Sequence, residues 1–107
     1  MPISQYTPQQ LQQHLQDDPS VFLLDVREPH EFAYAKIAGS VLIPLQQIPA
    51  RFDEVPVDRD VVVICHHGMR SQQACNFLQH SGLQRLFNLK GGIDAWSVIC
   101  DPSVPRY

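Results

Sequence analysis

The 107 residues, 44% of them hydrophobic, are enough for one domain with a buried core and too few for two. Lys and Arg number 8 against 11 Asp and Glu, and the net charge of -3 excludes a general attraction to nucleic acid or to an anionic membrane. The first residues, MPISQYTPQQLQQHLQDD, carry no basic stretch followed by an apolar one, so no secretory signal is expected, and no run approaches the ~20 apolar residues of a membrane span. Three cysteines without close spacing suit reduced thiols, and the expected setting is cytoplasmic.

In chain order, Thr7-Pro8-Gln9-Gln10 has the form of a capping box with proline at the first helical position. Leu11 and Leu15 follow at helical spacing, which predicts a helix to about Asp17, stopped by Pro19. Residues 21–26 (VFLLDV) form a continuous apolar run rich in branched side chains, the pattern of a strand buried on both faces. A helical start is expected at residues 28–32, a second short buried strand at 40–43 closed by Pro44, and a further helix within 47–55. Residues 61–65 (VVVIC) and 86–89 (LFNL) are the third and fourth buried runs. Between them, residues 71–81 place Ala74, Cys75, Phe77 and Leu78 on one helical stripe, with Gly82 where a C-terminal glycine belongs. Residues 91–96 (GGIDAW) open a short helix in which the glycines make the turn and Trp96 fills the core, and the tail from Asp101 is expected to wrap in extended form. Strands alternate with helices, so the expected fold is α/β, a mainly parallel sheet with helices on both faces.

One stretch is chemically unusual. The VVVIC run ends on Cys65 and continues His66-His67-Gly68-Met69-Arg70-Ser71. In open parallel sheets, ligands bind beyond the carboxyl ends of the strands. Cys65 sits at such an end, and Ser71 is the expected N-cap of the next helix. Amides of residues 66–71 can converge on one point there, where the helix adds about half a positive charge. A thiol in such a setting ionises more readily than its ordinary value of about 8.5 allows. Gly68 permits a tight backbone curl, and Arg70 supplies forked donors suited to oxyanions. The stretch reads as a cradle for a reactive thiolate and an incoming anion, whereas a cysteine with apolar neighbours alone would read as a small core hydrophobe.

The pattern Cys65-x-x-Gly68-x-Arg70-Ser71, after VVVI and before a helix, resembles the active-site loop of rhodanese sulfurtransferases. LLDVREPHEF (23–32), IAGSVLIPL (37–45) and NLKGGIDAW (88–96) agree with the family in the same order, so the resemblance covers nearly the whole chain as one domain, 1–107. It is similar to small single-domain bacterial rhodaneses and to the rhodanese domain at the end of some sulfur-carrier adenylyltransferases. The resemblance implies that Cys65 is the catalytic residue, taking the outer sulfur of thiosulfate, releasing sulfite and holding a persulfide until a thiol or cyanide accepts it. It implies that Arg70 binds the donor's oxyanion, with His66, His67, Gly68, Met69 and Ser71 lining the substrate site. Asp25 and Arg27 match the family's DVR segment and are expected in a supporting role, orienting loops or forming a structural ion pair. The family often carries histidine before the IAG segment, where this chain has Lys36. The partners implied are a small anionic sulfur donor, a thiol or cyanide acceptor, and a sulfur-carrier or thioredoxin-like protein.

Two other readings compete. Dual-specificity phosphatases and arsenate reductases of this fold are known for a longer loop, whereas only four residues separate Cys65 from Arg70 here, which favours sulfur transfer. Some rhodanese-like domains are binding or regulatory modules, usually without the cysteine. No metal is expected, because adjacent His66 and His67 do not converge easily on one ion with Cys65 and no spaced second pair of ligands follows. No cofactor fingerprint occurs. Cys75 is expected to be core packing, and Cys100 incidental.

Overall fold

A computed structural model describes residues 2–107. Thr7 and Gln10 cap the first helix reciprocally: the Gln10 N–H donates to Thr7 Oγ1 at 3.1 Å and the Thr7 N–H to Gln10 Oε1 at 2.9 Å. This helix, α1, spans Pro8–Asp17 as its sequence predicts. The sheet has five strands, β1 Ser4–Tyr6, β2 Phe22–Asp25, β3 Val41–Leu42, β4 Val61–Ile64 and β5 Leu86–Leu89, of which the last four follow the apolar runs. All pair in parallel in one sheet of order β1-β5-β4-β2-β3.

β4 lies at the centre, and its four residues are all buried on alternating faces. Val61 and Val63 face a core formed with Ile48 of α3 (Ile48–Arg51) and with Ala74, Cys75 and Leu78 of α4 (Met69–His80). Val62 and Ile64 face the other core, with Leu11 of α1 and Ile93 and Trp96 of α5 (Gly92–Ile99). Helices therefore cover both faces, as the continuous apolar runs require. Burying each of these aliphatic side chains contributes roughly 1.5–3 kcal/mol. A short helix, α2 (Pro29–Tyr34), follows the carboxyl end of β2 and buries none of its residues. No helix among the described residues is long and apolar enough to cross a membrane.

Four details differ from expectation. β1 is a strand without a strand-like pattern: SQY is short and mostly exposed, and the pairing of Ser4 with Phe87 holds it at the sheet edge. β3 is also an edge, and Val41 is 42% exposed rather than buried because no strand covers its outer side. The helix expected within 47–55 is α3 alone, bracketed by 3-10 turns at Leu45–Gln47 and Phe52–Glu54, since Pro49 has no N–H to continue a ladder from the preceding turn. The tail wraps back onto the domain, but through a turn over residues 101–104, where the Val104 N–H donates to the Asp101 carbonyl at 3.1 Å, rather than in extended form from Asp101. Val104 is buried against the α5 face, Ser97 Oγ donates to its carbonyl at 2.6 Å, and Tyr107 ends beside the loop after β4.

Candidate active site

Cys65 directly follows β4, and its residue is 1% exposed, so its thiol forms the floor of a pocket lined by Cys65, His66, His67, Met69 and Arg70. The chain then turns at Gly68, whose φ of 104° lies in the left-handed region that glycine adopts freely. Gly68, not Ser71, is the N-cap of α4. Starting the helix earlier places Met69, Arg70 and Ser71 in its first turn, where N–H groups lack intrahelical acceptors. The Gly68 N–H donates to Cys65 Sγ at 3.0 Å. Ser71, fully buried, reaches the sulfur with its side chain instead, Oγ to Sγ 3.2 Å.

The GGIDAW stretch fixes this loop from behind. The Ile93 N–H donates to the Cys65 carbonyl at 2.8 Å and the Asp94 N–H to the His66 carbonyl at 3.2 Å. In a trans peptide the N–H points opposite its carbonyl, so the His66 and His67 N–H groups are turned away from α5. A Cβ at Gly92 would run into the backbone of Cys65 and His66, so only glycine allows this approach. The start of α5 thus holds the carbonyl edge of the loop and is not an anion site of its own. Trp96, 6% exposed, fills the core beneath, as its sequence predicts.

A second support comes from β5. Asn88, 4% exposed, accepts from Ser71 Oγ through its Oδ1 and donates through Nδ2 to the Gly68 carbonyl at 3.1 Å. The same Nδ2 faces Oε1 of Gln5 at 2.9 Å and of Gln72 at 3.3 Å.

Arg70 is the permanently charged side chain of the pocket wall, and a charged network runs from it away from the thiol. Arg70 holds Glu31 end-on through Nη1 and Nη2, at 2.7 and 2.9 Å. Tyr107 donates its hydroxyl to Glu31 Oε2 at 2.8 Å and accepts from Arg27 Nη1 at 2.8 Å. Arg27 and Asp25 form a fully buried ion pair, with Nη2 to Oδ2 at 2.7 Å and Nε to Oδ1 at 2.9 Å. Arg27 also donates to the carbonyls of Glu31 and Ala35, tying α2 to the sheet, so the pair expected in a supporting role is an ion pair in the structure. Arg70 hydrogen bonds hold the Glu31 carboxyl well below the usual carboxylate range, and Glu31 in turn raises the Arg70 guanidinium. Burial raises the Tyr107 hydroxyl to about 12.

His66 meets two rings, stacked on Tyr107 at 4.0 Å and 8° and tilted by 31° against His67 at 4.0 Å. Burial, and next the neighbouring His67, hold its imidazole below its ordinary pKa. His66 therefore presents a ring face, with its charged form disfavoured by burial. Met69 is 77% exposed at the pocket rim. Lys36 does not line this pocket and lies over Phe32, 5.0 Å from its ring centre.

Of the residues singled out in the sequence, Cys65, His66, His67, Met69 and Arg70 share one pocket, while Gly68 and Ser71 touch the sulfur from beneath. Sequence reasoning missed Glu31, Asn88 and Tyr107. The signal for Asn88 is present: a lone amide inside the apolar run LFNL needs buried partners. Glu31 and Tyr107 carry no such signal, because their roles depend on a meeting across 76 residues. No group of three or more His, Cys, Asp or Glu among the described residues is arranged to hold a metal ion. Chemically, the pocket offers one buried sulfur, a backbone donor on that sulfur and a guanidinium at the wall, an arrangement that accepts an anion beside a nucleophile.

Comparison with known proteins gives the family and the fold. The rhodanese-like domain family matches residues 7–98. A sulfurtransferase of Allochromatium vinosum is 42% identical over 95 residues, 89% of each chain. A thiosulfate sulfurtransferase of Stutzerimonas stutzeri is 31% identical over 79% of this chain and 78% of its own. Among solved structures, a rhodanese-related protein from Thermoplasma volcanium superimposes with a TM-score of 0.81 at 30% identity, covering 95% of both chains. A rhodanese-like domain protein from Staphylococcus aureus does so with a TM-score of 0.85 at 26% identity, over 98% of this chain and 99% of its own. On the match across residues 7–98 and the shared parallel α/β sheet, this chain belongs to the rhodanese-like domain family.

Proposed function

We propose that residues 1–107 act as one sulfurtransferase domain that carries a sulfane sulfur on Cys65. The observation that carries this reading is the Gly68 N–H donated to Cys65 Sγ at the floor of an anion-accepting pocket. Relatives named as sulfurtransferases support the reaction class.

The reaction divides into two displacements. Cys65 gives its proton to water, and its thiolate attacks the outer sulfur of thiosulfate. A Cys65 S–S bond forms as the sulfur–sulfonate bond breaks, and sulfite leaves with the electron pair. A thiolate or cyanide acceptor then attacks the outer persulfide sulfur, and the bonding pair returns to Cys65 Sγ. The product is an acceptor persulfide or thiocyanate. The Gly68 N–H remains on Sγ throughout. Arg70 keeps its end-on edge on Glu31, leaving the Nε edge for the donor's oxygens. His66 and Met69 supply the apolar part of the pocket wall. The acceptor in this reading is a small thiol or a thiol-bearing sulfur-carrier protein, and three free cysteines suit a reducing, cytoplasmic setting.

The test is intact mass after incubation with thiosulfate, beside Cys65→Ser. A gain of one sulfur atom in the wild type alone is expected. No gain, with Cys65 still open to a small alkylating agent, rejects thiosulfate as donor. No gain and an unreactive Cys65 rejects the enzymatic reading in favour of a binding module.

A further inference from the structure

Ser71 Oγ lies between two groups, Cys65 Sγ at 3.2 Å and Asn88 Oδ1, and has one proton to offer them. The Asn88 amide can face only one way. Its Nδ2 meets the Gly68 carbonyl at 3.1 Å, a group that only accepts, together with the Gln5 and Gln72 side-chain oxygens. Turning the amide over would set oxygen against oxygen at Gly68. Oδ1 therefore faces Ser71 and takes its proton. Ser71 then presents a lone pair to the sulfur.

A lone pair at Sγ suits a thiol, whose S–H donates to it, and opposes a thiolate, which needs donors. With the thiol protonated, four links close a circuit: Cys65 S–H to Ser71 Oγ, Ser71 O–H to Asn88 Oδ1, Asn88 Nδ2–H to the Gly68 carbonyl, and Gly68 N–H to Cys65 Sγ. Ionisation breaks it. Either Ser71 keeps its proton on Asn88 and faces the anion with a lone pair, or it turns to the sulfur and leaves the buried Asn88 oxygen without a donor.

Resting on the reading of Cys65 as the sulfur carrier, we infer that Asn88 is a positioning residue that governs Cys65 through Ser71. By claiming the Ser71 proton it disfavours the bare thiolate relative to the states on either side of it, the resting thiol and the loaded persulfide. In the persulfide the charge sits on the outer sulfur, one bond beyond Sγ, so Ser71 keeps its proton on Asn88 without conflict. Arg70 and Cys75, both on α4, are in electrostatic contact with Cys65, and His66 and His67 flank it in the same pocket; none of the four is hydrogen-bonded to Asn88 or to Ser71 Oγ.

The experiment is a double-mutant cycle read as the Cys65 thiolate fraction at fixed neutral pH, from ultraviolet absorbance after subtracting the Cys65→Ser spectrum. Asn88→Leu releases the Ser71 proton to the sulfur and is expected to raise the thiolate fraction about tenfold, the size of one hydrogen bond to a charged group. In a Ser71→Ala background the same substitution is expected to change nothing. No rise, or an equal rise in both backgrounds, overturns the inference and leaves Asn88 as a support of the Gly68 turn. Should Asn88→Leu fail to fold, the S–H infrared stretch of Cys65 decides: it is expected to move to higher frequency in Ser71→Ala, and an unmoved band overturns the circuit. Sulfur loading by mass is read separately, so loss of that activity would reject the sulfur-transfer reading without touching this measurement.

Discussion

Arg70 and Glu31, 39 residues apart in the chain, meet in a two-bond ion pair, Nη1 to Oε1 at 2.7 Å and Nη2 to Oε2 at 2.9 Å. The pair joins the first turn of α4 to α2 and turns one edge of the guanidinium away from the pocket. It also couples the site to the tail, because Tyr107 donates to the same carboxylate.

Glu31 has a folded-state pKa below its ordinary value of 4.5, chiefly through the Arg70 hydrogen bonds. A lowered carboxyl stabilises the fold above the unfolded value, and that contribution is lost as pH falls toward the folded one. Wild-type stability should therefore drop more steeply below about pH 4.5 than that of Glu31→Gln, with the two curves converging in strong acid. Urea midpoints measured from neutral pH downward check this.

The Asp25–Arg27 pair has no exposed side-chain surface. Arg27→Met leaves Asp25 as an unpaired buried charge and is expected to cost about 3–5 kcal/mol. Asp25→Leu combined with Arg27→Met should recover much of that loss, since both charges are then gone. Chemical denaturation of the two variants checks the order.

Gly92 has φ 65°, and a side chain there would enter the backbone of Cys65 and His66. Gly92→Ala should destabilise by at least about 1–3 kcal/mol and reduce sulfur loading of Cys65 while the protein is still folded. Gly39, at φ 86° with open space around it, is the control. Gly39→Ala should show a backbone cost without loss of loading. Thermal melts and intact mass separate the two.

Cys75 is fully buried on α4, and burial raises its thiol to about 12. An alkylating agent at about pH 8 should leave Cys75 unmodified in the native protein and label it once urea is added. Peptide mass mapping checks this, and labelling of native Cys75 would contradict its place in the core.

Periodicity and capping made much of the fold legible. Thr7 and Gln10, the apolar runs of β2, β4 and β5, and the stripe carrying Ala74, Cys75 and Leu78 each obey rules that act over a few residues. The exceptions are edges. SQY pairs as β1 through its backbone, which leaves no mark in side-chain pattern, and Val41 is exposed because only its place in the sheet denies it a neighbour. The helix starts at Gly68 and not at Ser71: serine is the stronger capping signal in the sequence, while the left-handed turn at Gly68 is set by the loop that α5 holds.

By itself the sequence determined a mainly parallel α/β sheet, a thiol at the carboxyl end of one of its buried strands, and an arginine five residues on, because local spacing places them. The tertiary structure decided the rest: Glu31 on Arg70, Tyr107 against His66, Asn88 behind Ser71 and α5 on the loop carbonyls. Those pairings join residues far apart in the chain, and a hydrogen bond or ion pair depends on ångström distances that no linear spacing specifies.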